Sequence, residues 1–396
     1  MSAERGRLLE GLLACHQEHG LGGAIGGDPA RAAAEAAAAV LGLQPLTPAD
    51  PGRTVAVRST PLDLRYSITC PTPDRLHFPR EGGVVTTEPP LVEVALVENA
   101  TVTNWMGYHL VRCGDGLVAD ASSSYAPLVG APFTNPLPEG EEVGEVEELF
   151  LATDDIDYTN FCHFICDQLG RIALAGDCRH NIPVLVEVPQ QSFQHELYAR
   201  LEERHGHSML SLSPGQWLRV RRLFHVRNGD GLMHPLLRCS AWAIDFLRDL
   251  IGLPADLDAP EGSVLYLGRG TRRRLLNEAE LIEALQSFSQ HLTVVEELGT
   301  LGVREQAELV CRHQQVVGPH GAGFTHLLFR QRGPVQATEL LAEGNGSLAF
   351  ALISARLGIR HGMVVGDSSA STKGPNYPDL TVPVAEVLAA MDGGSD

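Results

Sequence analysis

This 396-residue chain is short of basic charge: 30 Lys and Arg stand against 49 Asp and Glu, giving a formal net charge of −19. That balance argues against a general nucleic-acid binder and against a protein resting on anionic lipid. It leaves room for a local basic pocket, and Arg272, Arg273 and Arg274 stand out for that reason. No CxxC pair exists among the cysteines at 15, 70, 113, 162, 166, 178, 239 and 311. Reduced thiols are therefore expected in place of a disulfide framework. No apolar run reaches the roughly 20 residues of a membrane helix. The N-terminal run breaks at Glu10, and the Ala-rich stretch 31–43 carries Glu35. Neither stretch reads as a signal segment or a span, so a cytoplasmic location is expected and the sequons at Asn99 and Asn345 carry no expected modification. There is no GxSxG elbow, and no Lys-Ser/Thr follows a glycine turn, which sets aside a serine hydrolase and a Walker loop.

What is present is a chain with 44% hydrophobic residues and enough length for two domains with sizeable cores. Its high Ala, Gly and Arg usage fits a bacterial enzyme. The clearest pattern lies in the last third. "SVLYLG", "LTVVEEL", "QQVVG", "VQATELL" and "RHGMVVGD" read as short buried strands. Between them "NEAELIEALQSF", "REQAELVCRH" and "GSLAFALISARLG" read as helices. Such alternation predicts a parallel sheet covered on both faces, a doubly wound domain over 263–396. Asn277 suits the N-cap of the first of these helices, with Glu280 in capping-box position. The Pro-, Asp- and Gly-rich stretch 251–262 reads as a linker. Residues 51–250 read as a second α/β domain, with strand-like runs around a Gly-Asp-Gly turn in front. Residues 1–50 read as a helical, Ala-rich extension.

Three stretches could carry chemistry. In "QQVVGPHGAGFTHLLF", Gly318, Gly321 and Gly323 surround His320 where a strand hands over to a helix. Glycines let a backbone approach a ligand, and the helix start offers N–H groups at Ala322 and Gly323 to an anion. Glu339 follows 19 residues after His320, near a strand end, where a carboxylate can accept from ribose hydroxyls. In "LYLGRGTRRRLLNEAEL", Arg269 and Arg274 fall at the carboxyl edge of the sheet, with forked donors suited to a diphosphate. In "TNFCHFICDQLGRIAL", helical spacing puts Asn160, His163, Asp167 and Arg171 in one polar stripe. Asp167 or His163 could take a proton from an acceptor hydroxyl, with Asn160 and Arg171 on the acceptor side. Cys162, His163 and Cys166 lack a fourth zinc ligand, so no metal site is expected. Asp155 and Asp157, in "TDDIDYTN", read as a charge cluster outside the nucleotide domain.

Together these stretches resemble glycosyltransferase family 61. The resemblance rests on Arg269, on Arg274-x-x-Asn277-Glu278, on the unbroken G-P-H-G-A-G turn at 318–323, on Glu339-Leu340 and on Asn160-x-x-His163-x-x-x-Asp167. The chain departs from the family where His326 replaces a usual Asn. The resemblance implies a GT-B-like fold, two Rossmann-like domains facing a cleft, with a nucleotide sugar on the C-terminal one. It implies transfer of a hexosyl or pentosyl group, with inversion and without a metal or other cofactor, from a donor that is by analogy a UDP-sugar. The acceptor hydroxyl would belong to a glycan, a protein or a small molecule. A nucleotide-sugar epimerase or hydrolase on the same fold, and a non-catalytic nucleotide-sugar-binding protein, are the competing readings.

Overall fold

The computed structural model describes residues 47–50, 52–59, 62–66, 68–69, 83–87, 91–105, 108–114, 116–118, 121, 140–153, 158–227, 240–254, 257–270, 272–330, 335–343, 347–369 and 378–392. Nearly all of the expected helical extension 1–50, together with Asp155 and Asp157, lies outside them. The chain divides into two compact units, both discontinuous in sequence. The first is Met1–Arg58, Leu91–Thr159 and Arg171–Gly231; the second is Ser59–Pro90, Asn160–Gly170 and Leu232–Asp396.

The first unit holds a nine-stranded mixed sheet, which differs from the Rossmann-like domain expected for residues 51–250. Only one side has that character: Glu141–Leu151, Val184–Leu185 and Met209–Leu210 run parallel. On the other side Leu91–Trp105 pairs antiparallel with both Tyr108–Cys113 and Gln216–Val226. The connection from Trp105 to Tyr108 is too short for a crossover helix, and that forces antiparallel pairing. One sheet face buries Val97, Val102, Val111, Leu149 and Leu223. Elsewhere along the paired strands, Arg219, Arg221 and Arg222 meet Glu142, Glu145 and Glu148 across the ladder.

In the second unit the expected alternation is realised. β1 (Val264–Leu267), β2 (Leu292–Val295), β3 (Gln315–Pro319), β4 (Gln336–Ala342) and β5 (Arg360–Ser369) are mutually parallel, in the order β2-β1-β3-β4-β5. A last strand, β6 (Asp379–Thr381), is antiparallel to β5. Helices α1 (Glu278–Phe288), α2 (Val303–Cys311), α3 (Ala349–Arg356) and α4 (Val384–Asp392) accompany them. All seven residues of β4 are buried, as a strand covered on both faces requires. In this strand order the direction of winding reverses between β1 and β3. The crevice outside their carboxyl ends is where open α/β sheets bind ligands.

The expected linker 251–262 follows a helix that groups with the second unit. The helix Ala241–Ile251 belongs to the second unit, where Arg248 donates to the Leu328 carbonyl at 2.9 Å and also to that of Arg330. These carbonyls end a 3-10 helix and would otherwise lack partners. Composition marks a linker but not the side on which a neighbouring helix packs.

Candidate active site

The glycine turn at the end of β3 is built by close approach. A Cβ on Gly318 would lie 2.4 Å from the Leu267 carbonyl oxygen of β1. One on Gly321 would lie 2.0 Å from Nη1 of Arg269, because that guanidinium crosses the turn to donate to the His320 carbonyl at 2.5 Å. Arg273 donates to the same carbonyl at 3.3 Å, from a left-handed backbone (φ 54°). Burial, then the neighbouring Arg273 and Arg272, lower the Arg269 pKa to about 10, so it stays protonated at neutral pH. A partly desolvated cation repelled by two others is a place where an anion is welcome.

Beside this turn a cleft of about 190 Å³ opens, with 268–270, 296–299 and 321–324 among its walls. These are the carboxyl ends of β1, β2 and β3, the switch point of the sheet. Pockets for whole small molecules run to roughly 300–1,000 Å³, so this one suits part of a ligand. Ala322 and Gly323 open the 3-10 helix Ala322–Phe329, and the first N–H groups of a helix have no acceptor within it.

The Nδ1 edge of the His320 ring faces β4. Its Nδ1 lies 2.8 Å from Oε1 of Glu339, while Oε2 of the same carboxylate lies 2.9 Å from Nε2 of His361. Glu339 is fully buried. Burial alone would raise its pKa, but His320 and His361 outweigh that and hold it at about 2. Both oxygens are therefore engaged inside the protein, by an internal pair of histidines.

The next two expected ligands are also engaged by other parts of the chain, although the Arg274 side chain is 48% exposed. Arg274 clamps Asp379 of β6 through Nη2 and Nε at 2.7 and 3.1 Å, and its backbone N–H donates to Oδ1 of the same residue. Asn277 is the N-cap of α1, as expected, but its side chain accepts from no helix N–H group; its Nδ2 donates to Oε2 of Glu280 at 3.2 Å. The same Nδ2 donates to the Val382 carbonyl at 2.8 Å, and Oδ1 of Asn277 accepts from the Val382 N–H at 3.1 Å. The pair fastens the C-terminal segment to the loop before α1. Sequence reasoning missed Glu296 and Glu297 in the cleft wall and the reach of Arg273. The doubled Glu at the end of a predicted strand in "LTVVEEL" was the available signal.

The polar stripe is rearranged by a π-helical turn, Phe164–Gln168, inserted after the short helix Phe161–His163. The π turn breaks the 100° stagger on which the stripe rested. Asn160 serves as N-cap, its Oδ1 accepting from the Cys162 N–H at 2.9 Å. Arg171 is buried and donates to the Tyr158 hydroxyl at 3.4 Å. His163 and Asp167 do meet, Nδ1 to Oδ2 at 2.7 Å. Asp167 is fully buried, whereas the His163 side chain is 35% exposed, so the imidazole is the end of the pair that a ligand can reach. Phe161 stacks on His326 with ring centroids 4.7 Å apart, and His326 shares a 2.9 Å hydrogen bond with Gln306. Burial lowers the His326 pKa to about 3, so the departure from the family pattern is a neutral core histidine.

Among the described residues no helix is long and apolar enough to cross a membrane. No curated protein matches the chain. The family model described as Glycosyltransferase 61 matches residues 161–337, from the helix that carries His163 to the start of β4. That span holds Asp167, Arg269 and the glycine turn, and over it the chain is similar to glycosyltransferase family 61.

Proposed function

We propose that the protein transfers a hexosyl or pentosyl group from a nucleotide sugar, with a UDP-sugar as the first candidate, to an acceptor hydroxyl. The anomeric centre inverts and no metal takes part. The observation that carries the reading is the cleft at the β1/β3 switch point, where Arg269 is held over Gly321 beside the first N–H groups of a helix. In it the diphosphate lies against Arg269 and the N–H groups of Ala322 and Gly323, which stabilise the charge that develops as the nucleotide departs. On the same unit, His163 takes the acceptor proton, with Asp167 behind it fixing the ring. The acceptor oxygen then bonds to the anomeric carbon as the bond to the diphosphate oxygen breaks, and the nucleoside diphosphate leaves with that electron pair.

Calorimetry and thermal shift with UDP, other nucleoside diphosphates and UDP-sugars test this, each in EDTA and in Mg²⁺. A ligand at a hundred times its Kd adds about 2.7 kcal/mol to stability. UDP or a UDP-sugar is expected to stabilise the wild type in EDTA and to lose that effect in Arg269→Gln. His163→Asn should keep nucleotide affinity and lose transfer by about 10²–10⁴-fold. Binding of no nucleotide in either buffer would sink the reading.

A further inference from the structure

Behind His320 runs an unbroken line of hydrogen bonds that the proposed reaction does not use. Oγ of Ser354 lies 2.8 Å from Nδ1 of His361, Nε2 of His361 lies 2.9 Å from Oε2 of Glu339, and Oε1 of Glu339 lies 2.8 Å from Nδ1 of His320. The four residues come from α3, β5, β4 and the end of β3. Side-chain exposure grades from 2% at His361 and none at Glu339 to 12% at His320, so only the last of the line looks outward. Burying a hydroxyl, an imidazole and a carboxylate together is unfavourable unless every bond is made, and apolar residues would pack the same space without that demand.

The chemistry gives the line a direction. An ionised carboxylate only accepts, so each ring nitrogen facing Glu339 carries its hydrogen. On His361 that nitrogen is Nε2, and in the neutral ring the Ser354 hydroxyl donates to Nδ1. On His320 it is Nδ1, and the Phe350 ring, tilted against it at 5.2 Å between centroids, limits its rotation. We infer that Ser354 and His361 are positioning residues: they hold Glu339 in the rotamer that fixes His320 as its Nδ1–H tautomer, leaving Nε2 as the single nitrogen His320 offers to a ligand. The ligand arm of this inference rests on the donor-site reading above; the tautomer does not.

The test is ¹⁵N-histidine NMR of the full chain, with His320 assigned by the signals lost in His320→Asn. The wild type is expected to show His320 protonated at Nδ1, and UDP-glucose should shift its Nε2 resonance while Nδ1 stays. His361→Leu, which removes the donor to Oε2, should bring an Nε2-protonated population of His320. His361→Gln, whose amide can still donate to Glu339, should restore the wild-type signals. Should His361→Leu fail to fold, Ser354→Ala carries the same test through a single lost hydroxyl, with changes expected at His361 and His320. Wild-type His320 signals in every folded variant, or an Nε2–H tautomer in the wild type, would overturn the inference. If UDP-glucose leaves all signals in place, the ligand arm fails, and the nucleotide calorimetry tells whether the donor-site reading fails with it.

Discussion

Glu339 is held by internal partners that its sequence position did not reveal, and their effect is measurable. The spacing from His320 and the strand-end position suit a ribose acceptor, but spacing along one strand does not reveal which side chains from the next strand reach the same carboxylate. His361 is 22 residues away in sequence and 2.9 Å away in space. A carboxyl held at about 2, against an ordinary 4.5, has its folded-state pKa depressed. It therefore contributes stability that is fully present above pH 4.5 and lost as pH falls toward 2. The difference corresponds to about 3 kcal/mol. Urea unfolding of the wild type and Glu339→Gln at several pH values should show the gap between them shrinking by roughly three quarters of that amount from pH 6 to pH 2.5. A gap that stays constant with pH would mean that the carboxylate's charge contributes nothing. The same holds for Arg274, whose residue type suited a diphosphate site, and for the motif residue Asn277: their partners, Asp379 and Val382, lie 105 residues on and could not be read from the motif.

Among elements, the strands and helices of the second unit were legible because buried parallel strands are short apolar runs punctuated by amphipathic helices. The first unit was not, because its strands alternate and a short connection, rather than a periodicity, decides antiparallel pairing. The π turn at Phe164–Gln168 was also hidden, since the residues of "FICDQ" fit an α-helix equally well. The β3 turn was visible as glycines, and the structure separates what each glycine does. At Gly318 an added methyl meets the Leu267 backbone oxygen at 2.4 Å, and backbone in a sheet does not step aside. At Gly321 it meets the far end of Arg269 at 2.0 Å, which can swing away. Gly318→Ala is thus expected to destabilise the fold by about 1–3 kcal/mol as an overpacked site. Gly321→Ala should leave the melting temperature nearly unchanged while displacing Arg269, and UDP affinity should fall by an order of magnitude or more. Paired thermal melts and calorimetry on the two variants check this. Equal losses of stability in both would mean that the Arg269 crossing is part of the scaffold and not a ligand arm.

For the whole molecule, the family match and the folded unit have different limits. The match stops at residue 337, inside β4, yet the second unit continues through β5, β6 and α4. Leu380, Val382, Val387, Ala390 and Met391 are buried in one cluster with Tyr266 of β1, Leu281 and Leu285 of α1, and Val364 of β5. Asp379 and Val382 add the ties to Arg274 and Asn277. At about 1.5–3 kcal/mol for each large apolar side chain, the four larger residues supply roughly 6–12 kcal/mol. A domain's net stability is only about 5–15 kcal/mol. Removing residues 379–396 should therefore unfold the second unit even though every residue of the family match is retained. The first unit, whose apolar cluster lies within its own sheet, should survive. Circular dichroism and hydrogen exchange of the shortened chain decide it. Amides of β1 and β3 should lose protection while those of Leu91–Trp105 and Gln216–Val226 keep it. Protection retained in β1 and β3 would mean that the C-terminal segment merely covers a unit already stable without it.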